Sequence, residues 1–121
     1  MEVLLDSNFI ISSIKKKIDF ISELEAMGFK IILPRGVFQE LKDLRLKVQH
    51  SDKSAIDIAL KLFESKKIKK ATIGNLNVDK GLIEKGRQGF YIATLDKEIK
   101  RHVPNRVIIS NSKNSILIDR N

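Results

Sequence analysis

Short aliphatic runs alternate with longer stretches in which apolar residues recur every three or four positions, along the whole chain. That alternation constrains the fold most, because the first pattern suits buried strands and the second amphipathic helices. Val3-Leu4-Leu5 reads as a short buried strand, and Asp6-Ser7-Asn8 behind it are helix-capping residues. Ile14, Ile18, Ile21 and Leu24 predict one helix running to about Gly28, a natural C-cap. Lys30 to Leu33 make the second strand, and Pro34 opens a helix with Val37, Leu41, Leu44 and Val48 on one face. Ser51 or Asp52 caps another helix that turns Ala55, Ile58, Ala59, Leu62 and Phe63 inward. Ala71-Thr72-Ile73 is the third predicted strand; Asn77 caps a helix through about Gln88, and Gly89 closes it. Phe90 to Thr94 is the most strand-like run of all. Asp96 to His102 form a short basic helix, Val107-Ile108-Ile109 a fifth strand, and Ile116-Leu117-Ile118 an edge strand.

Strands alternating with helices argue for a parallel sheet covered on both faces, an α/β fold in three layers. Right-handed crossovers make it an open, doubly wound sheet, whose ligands bind beyond the carboxyl ends of the strands. The 121 residues fit one domain, residues 1–121, with no linker and no internal repeat. The absence of cysteine excludes a disulfide scaffold, a thiolate metal site and cysteine catalysis. His50 and His102 alone leave little room for a multi-histidine metal site. No apolar run is long enough for a membrane span, and the N-terminus lacks a basic leader, so a cytoplasmic protein with no membrane partner is expected. Neither a GxGxxG nor a GxxxxGK[ST] phosphate loop occurs. The 23 Lys and Arg outweigh 15 Asp and Glu by +8, which favours a polyanionic partner such as nucleic acid.

Four carboxylates fall where such a sheet would carry chemistry. Asp6 follows the first strand directly, and Asp96 follows the fourth by one residue. Asp79 lies in the first turn of the helix leading into that strand. Glu40 sits two turns into the helix after the second strand, roughly 60° off its apolar stripe. Carboxylates gathered in one pit repel unless protonated or filled by cations, and hard divalent ions such as Mg²⁺ or Mn²⁺ suit oxygen ligands. Two such ions about 4 Å apart would suit phosphodiester hydrolysis. Spacing alone equally allows Asp6, Asp79 and Asp96 to be helix caps or first-turn acids, and Glu40 a solvent-facing helix residue.

In these residues the sequence resembles a PIN domain, the metal-dependent nuclease family related in fold to flap endonucleases. Leu5-Asp6-Ser7-Asn8-Phe9 is similar to the opening motif, Gly36-Val37-Phe38-Gln39-Glu40-Leu41 to the second, Val78-Asp79 to the third and Tyr91-Ile92-Ala93-Thr94-Leu95-Asp96 to the fourth. The likeness runs from about residue 1 to about residue 109. It implies a Rossmann-like, mainly parallel sheet of order 3-2-1-4-5. It also implies a divalent-metal-dependent endoribonuclease, with Asp6, Glu40, Asp79 and Asp96 as catalytic and metal-binding residues for Mg²⁺ or Mn²⁺. Ser7, Asn8 and Thr94 match polar positions that support the site, although Asn8 reads equally as a capping amide.

Two branches of the family compete. The stretches around Pro34 to Leu44 and Leu95 to Arg101 look like the archaeal and eukaryotic ribosomal-RNA-processing members, the favoured reading. VapC-type toxins of toxin–antitoxin pairs, and a non-catalytic RNA-binding module, are the alternatives. The implied partners are single-stranded or looped RNA, a second copy in a homodimer, and a ribosome-assembly or antitoxin protein. Lys80 directly follows Asp79, where relatives often carry a second acid or a small residue, so it competes with metal there or binds phosphate. The remaining basic groups are Lys15-Lys16-Lys17, the Lys66-Lys67 and Lys69-Lys70 cluster, and Lys97 with Lys100-Arg101. Of these, Lys15, Lys16, Lys97, Lys100 and Arg101 join Lys80 as expected RNA contacts.

Overall fold

The computed structural model describes residues 1–65, 68–74 and 77–120. In chain order the elements are β1 (Glu2–Leu5), α1 (Ser7–Lys15), α2 (Phe20–Ala26), β2 (Lys30–Pro34), α3 (Arg35–Arg45) and α4 (His50–Ser65). There follow β3 (Lys69–Ala71), α5 (Val78–Arg87), β4 (Tyr91–Ala93), α6 (Lys97–His102), β5 (Asn105–Ser110) and β6 (Ser115–Arg120). The sheet has the order β3-β2-β1-β4-β5-β6. The first five strands are parallel in the expected 3-2-1-4-5 order, and β6 adds an antiparallel edge beside β5. Among the described residues no helix is long and apolar enough to cross a membrane.

Strand alternation sorts the core into two halves. Val3, Leu5, Leu33, Tyr91 and Ala93 face a layer built from α1 to α4, where Phe9, Phe20, Leu41, Ile56 and Phe63 pack. Leu4, Ile32 and Ile92 point the other way and meet Leu82 of α5 with Ile99 and Val103 at α6. Both sheet faces are therefore covered, which explains why these strands are apolar at successive positions.

Four sequence expectations need correction. The stretch from Ser7 to Gly28 is two helices, because the chain turns at Lys17 with a φ of 59°. There the Ile18 N–H donates to Ser13 O at 2.8 Å and the Lys17 N–H to Ile14 O at 2.9 Å, closing the end of α1. Asp19 then starts α2 by accepting from the Ser22 N–H at 3.2 Å and the Ser22 hydroxyl at 2.8 Å. Across the break Ile18, Phe20, Ile21 and Leu24 all reach the core. Val48 lies beyond the end of α3 and packs from the connection to α4. On α4 the buried face is Ala55, Ile56, Ala59 and Phe63, while Ile58 is 54% exposed. Finally, β3 is Lys69–Ala71 rather than Ala71 to Ile73, since its pairing follows Ile32, Leu33 and Pro34 of β2. The predicted basic pair Lys66-Lys67 lies outside the described residues.

Candidate metal centre

The carboxyl ends of β1 and β4, the amino-terminal turns of α1 and α5 and the second half of α3 meet at one edge of the sheet. A cleft of about 260 Å³ opens there, lined by Asp6, Ser7, Asn8, Glu40, Leu44, Asp79 and Asp96. All four acids picked out in the sequence border it.

Asp6 is placed by its own backbone, whose N–H donates to Ala93 O at 2.9 Å and so extends the β1–β4 ladder by one bond. The residue is 4% exposed. It accepts from the Ser7 N–H at 2.9 Å and from the Thr94 hydroxyl at 2.8 Å. Burial pushes this carboxyl up to about 6, and the charges of Glu40 and Asp79 push in the same direction. The bonds from Thr94 and the Ser7 N–H pull it back only in part.

Thr94 is fully buried, its N–H donating to Val107 O at 3.2 Å. Its hydroxyl gives its proton to Asp6 and accepts from the Asp96 N–H at 3.1 Å, joining the two acids that follow β1 and β4. The buried Ser7 hydroxyl donates to the Glu40 carboxylate, across 33 residues of sequence. Asp96 caps α6 through Oδ1, which accepts from the Glu98 N–H at 2.8 Å and the Ile99 N–H at 3.1 Å. Asp79 stands exposed in the first turn of α5, behind the Asn77 cap that receives the Lys80 N–H at 3.0 Å. Asp6 and Asp96 thus cap helices and border the cleft at once, so those two sequence readings were not exclusive. Asn8 sits exposed on the rim. Leu44, expected only in the core, also lines the cleft; its place four residues after Glu40, on the same helical face, was the available signal.

Among the described residues no Lys, Arg or His lines this cleft. Lys80 and Lys97 are exposed and adjoin Asp79 and Asp96 in sequence. Lys100 is half-buried, and Arg101 pairs with Glu98 at 3.3 Å. Lys15 and Lys16 lie at the far end of α1, a helix about 13 Å long, and Lys15 pairs with Asp52 at 2.6 Å. The chemistry of the donors fits a hard divalent cation: four carboxylates, one of them buried, with no cation among the described residues lining the space. Among the described residues no three such side chains are arranged to hold a metal ion. The acids border the space without closing on one point.

The sequence pattern of the PIN-like domain matches residues 3–110, almost the whole chain. The chain belongs to the PIN-like domain family. Among solved structures, its PIN-like fold resembles that of the PIN domain endonuclease Utp24, with a TM-score of 0.76 and 20% identity over 99% of this chain and 92% of that one. It also resembles VapBC2 from Rickettsia felis, solved bound to a DNA fragment from its promoter, with a TM-score of 0.51 and 17% identity over 84% of this chain and 93% of that one. No curated protein sequence matches. At these identities the two structures speak for the PIN-like fold, and the site must be argued from its own residues.

Proposed function

We propose that this PIN-like chain is a divalent-metal-dependent endoribonuclease, with ribosomal-RNA processing as the favoured setting. The observation that carries the reading is the buried Asp6 carboxylate, which faces Glu40 and Asp79 across a cleft that no cation among the described residues lines. Such an arrangement is costly in the absence of a bound cation and favourable around one. Asp6, Glu40, Asp79 and Asp96 would hold Mg²⁺ or Mn²⁺. When bound, such an ion supplies a Lewis acid for the phosphodiester and lowers the pKa of the attacking water, giving 5′-phosphate and 3′-hydroxyl products.

The protein's own part is positioning. Thr94 orients the Asp6 carboxylate and fixes the backbone that presents Asp96, while Ser7 orients Glu40. Lys80 and Lys97, exposed beside two of the acids, receive backbone phosphates on either side of the bond to be cut. The likeness to the endonuclease Utp24 supports this choice, and the weaker likeness to VapBC2 supports a toxin held by an antitoxin as the next one. A non-catalytic RNA-binding module is the third reading. It is favoured by Lys80 beside Asp79 and by carboxylates that do not close on a point.

The test is cleavage of structured and unstructured RNA by the purified protein, with Mg²⁺, Mn²⁺ or EDTA. Cleavage is expected to need the metal, and Asp6→Asn and Asp96→Asn are each expected to reduce it at least 100-fold in folded protein. Salt-sensitive RNA binding without metal-dependent cleavage would instead establish the binding module.

A further inference from the structure

Gly36 is the second residue of α3, exposed, and its φ lies outside the left-handed region. Nothing in its own backbone calls for glycine, and alanine would favour the helix. Its surroundings supply the reason. A Cβ on Gly36 would lie 2.9 Å from Val78 Cγ2, closer than real Cβ contacts come. Val78 is β-branched and stiff, so it cannot swing a long side chain aside. It touches both halves of the core and stands between Asn77, the cap of α5, and Asp79. Glu40 follows Gly36 by one turn of α3.

We infer that the bare backbone at Gly36, with Val78 seated against it, is the joint that sets the distance between Glu40 on α3 and Asp79 on α5. Both are positioning residues: neither lines the cleft, and each acts through the acid it carries. This deepens the metal-centre reading and rests on it for its functional meaning. The geometric claim stands apart from that reading.

The chain has no cysteine, which permits a direct ruler. Glu40→Cys with Asp79→Cys is introduced into four backgrounds: unaltered, Gly36→Ala, Val78→Ala, and Gly36→Ala with Val78→Ala. The effective concentration of the two thiols is read from disulfide formation in glutathione buffers, with melting curves as the control for folding. Gly36→Ala is expected to lower it at least threefold, and adding Val78→Ala is expected to restore it to within twofold. In parallel, with Glu40 and Asp79 intact, Gly36→Ala should weaken Mn²⁺ binding three- to tenfold, and the double variant should recover it. An unchanged thiol ratio in folded Gly36→Ala, or a double variant no better than Gly36→Ala alone, overturns the joint. If the thiols respond as expected while the intact protein binds no Mn²⁺, the joint stands and the metal centre fails.

Discussion

Asp6 carries the largest single electrostatic cost in the cleft. Its folded carboxyl is pushed up to about 6 from an ordinary 3.8, chiefly by burial. The folded state therefore holds that proton more tightly than the unfolded state. The associated stability is fully present below about pH 4 and is lost as the pH rises through about 6. Asp6→Asn should accordingly be more stable than the parent at pH 8 in EDTA by roughly 1–3 kcal/mol, with the gap closing below pH 4. Denaturant unfolding across that range measures it, and a less stable variant at pH 8 would refute the burial argument. The amide can still accept from the Ser7 N–H and donate to the Thr94 oxygen, although the Thr94 hydroxyl proton then loses its acceptor. Asp6 and Asp96 were legible in the sequence because each follows an apolar strand. The bonds that orient them were not: Thr94 reaches Asp6 across 88 residues and Ser7 reaches Glu40 across 33, beyond any local pattern.

At the scale of elements, periodicity located every strand but the third and most helices, and missed where one helix becomes two. Ile14, Ile18, Ile21 and Leu24 keep helical spacing through a turn in which Lys17 takes a left-handed conformation. A lysine gives no sign of such a turn, whereas glycine would have. Lys17→Gly should remove that strain at the cost of a smaller loss of chain entropy, a net gain of about 0.5 kcal/mol. A thermal melt reads the gain, and destabilisation of similar size would show that the Lys17 side chain contributes more than its backbone costs. The inward face of α4 was misjudged for a different reason. That helix packs on both α1 and α3, so Ile56 turns inward and Ile58 outward, which depends on partners no single helical wheel contains.

For the molecule as a whole, the strand alternation implied a parallel sheet, while its order came through the family motifs and was matched in the structure. The added β6 closes one edge, and its Ile116 N–H donates to Glu23 at 3.1 Å; the other edge, β3, carries Lys69 and Lys70. Charge is distributed with equal purpose. With the four cleft acids set apart, the remaining 11 acids against 23 basic residues leave +12 on the rest of the chain. A basic exterior around an acidic hole suits a phosphate backbone that meets cations at one place. The proposed chemistry requires that this hole take a divalent ion. A crystal grown without divalent metal and soaked in Mn²⁺ tests it most directly by anomalous scattering. A peak is expected between Asp6, Glu40, Asp79 and Asp96, lost in Asp6→Asn; a cleft without a peak in crystals held at pH 8 would overturn the metal centre.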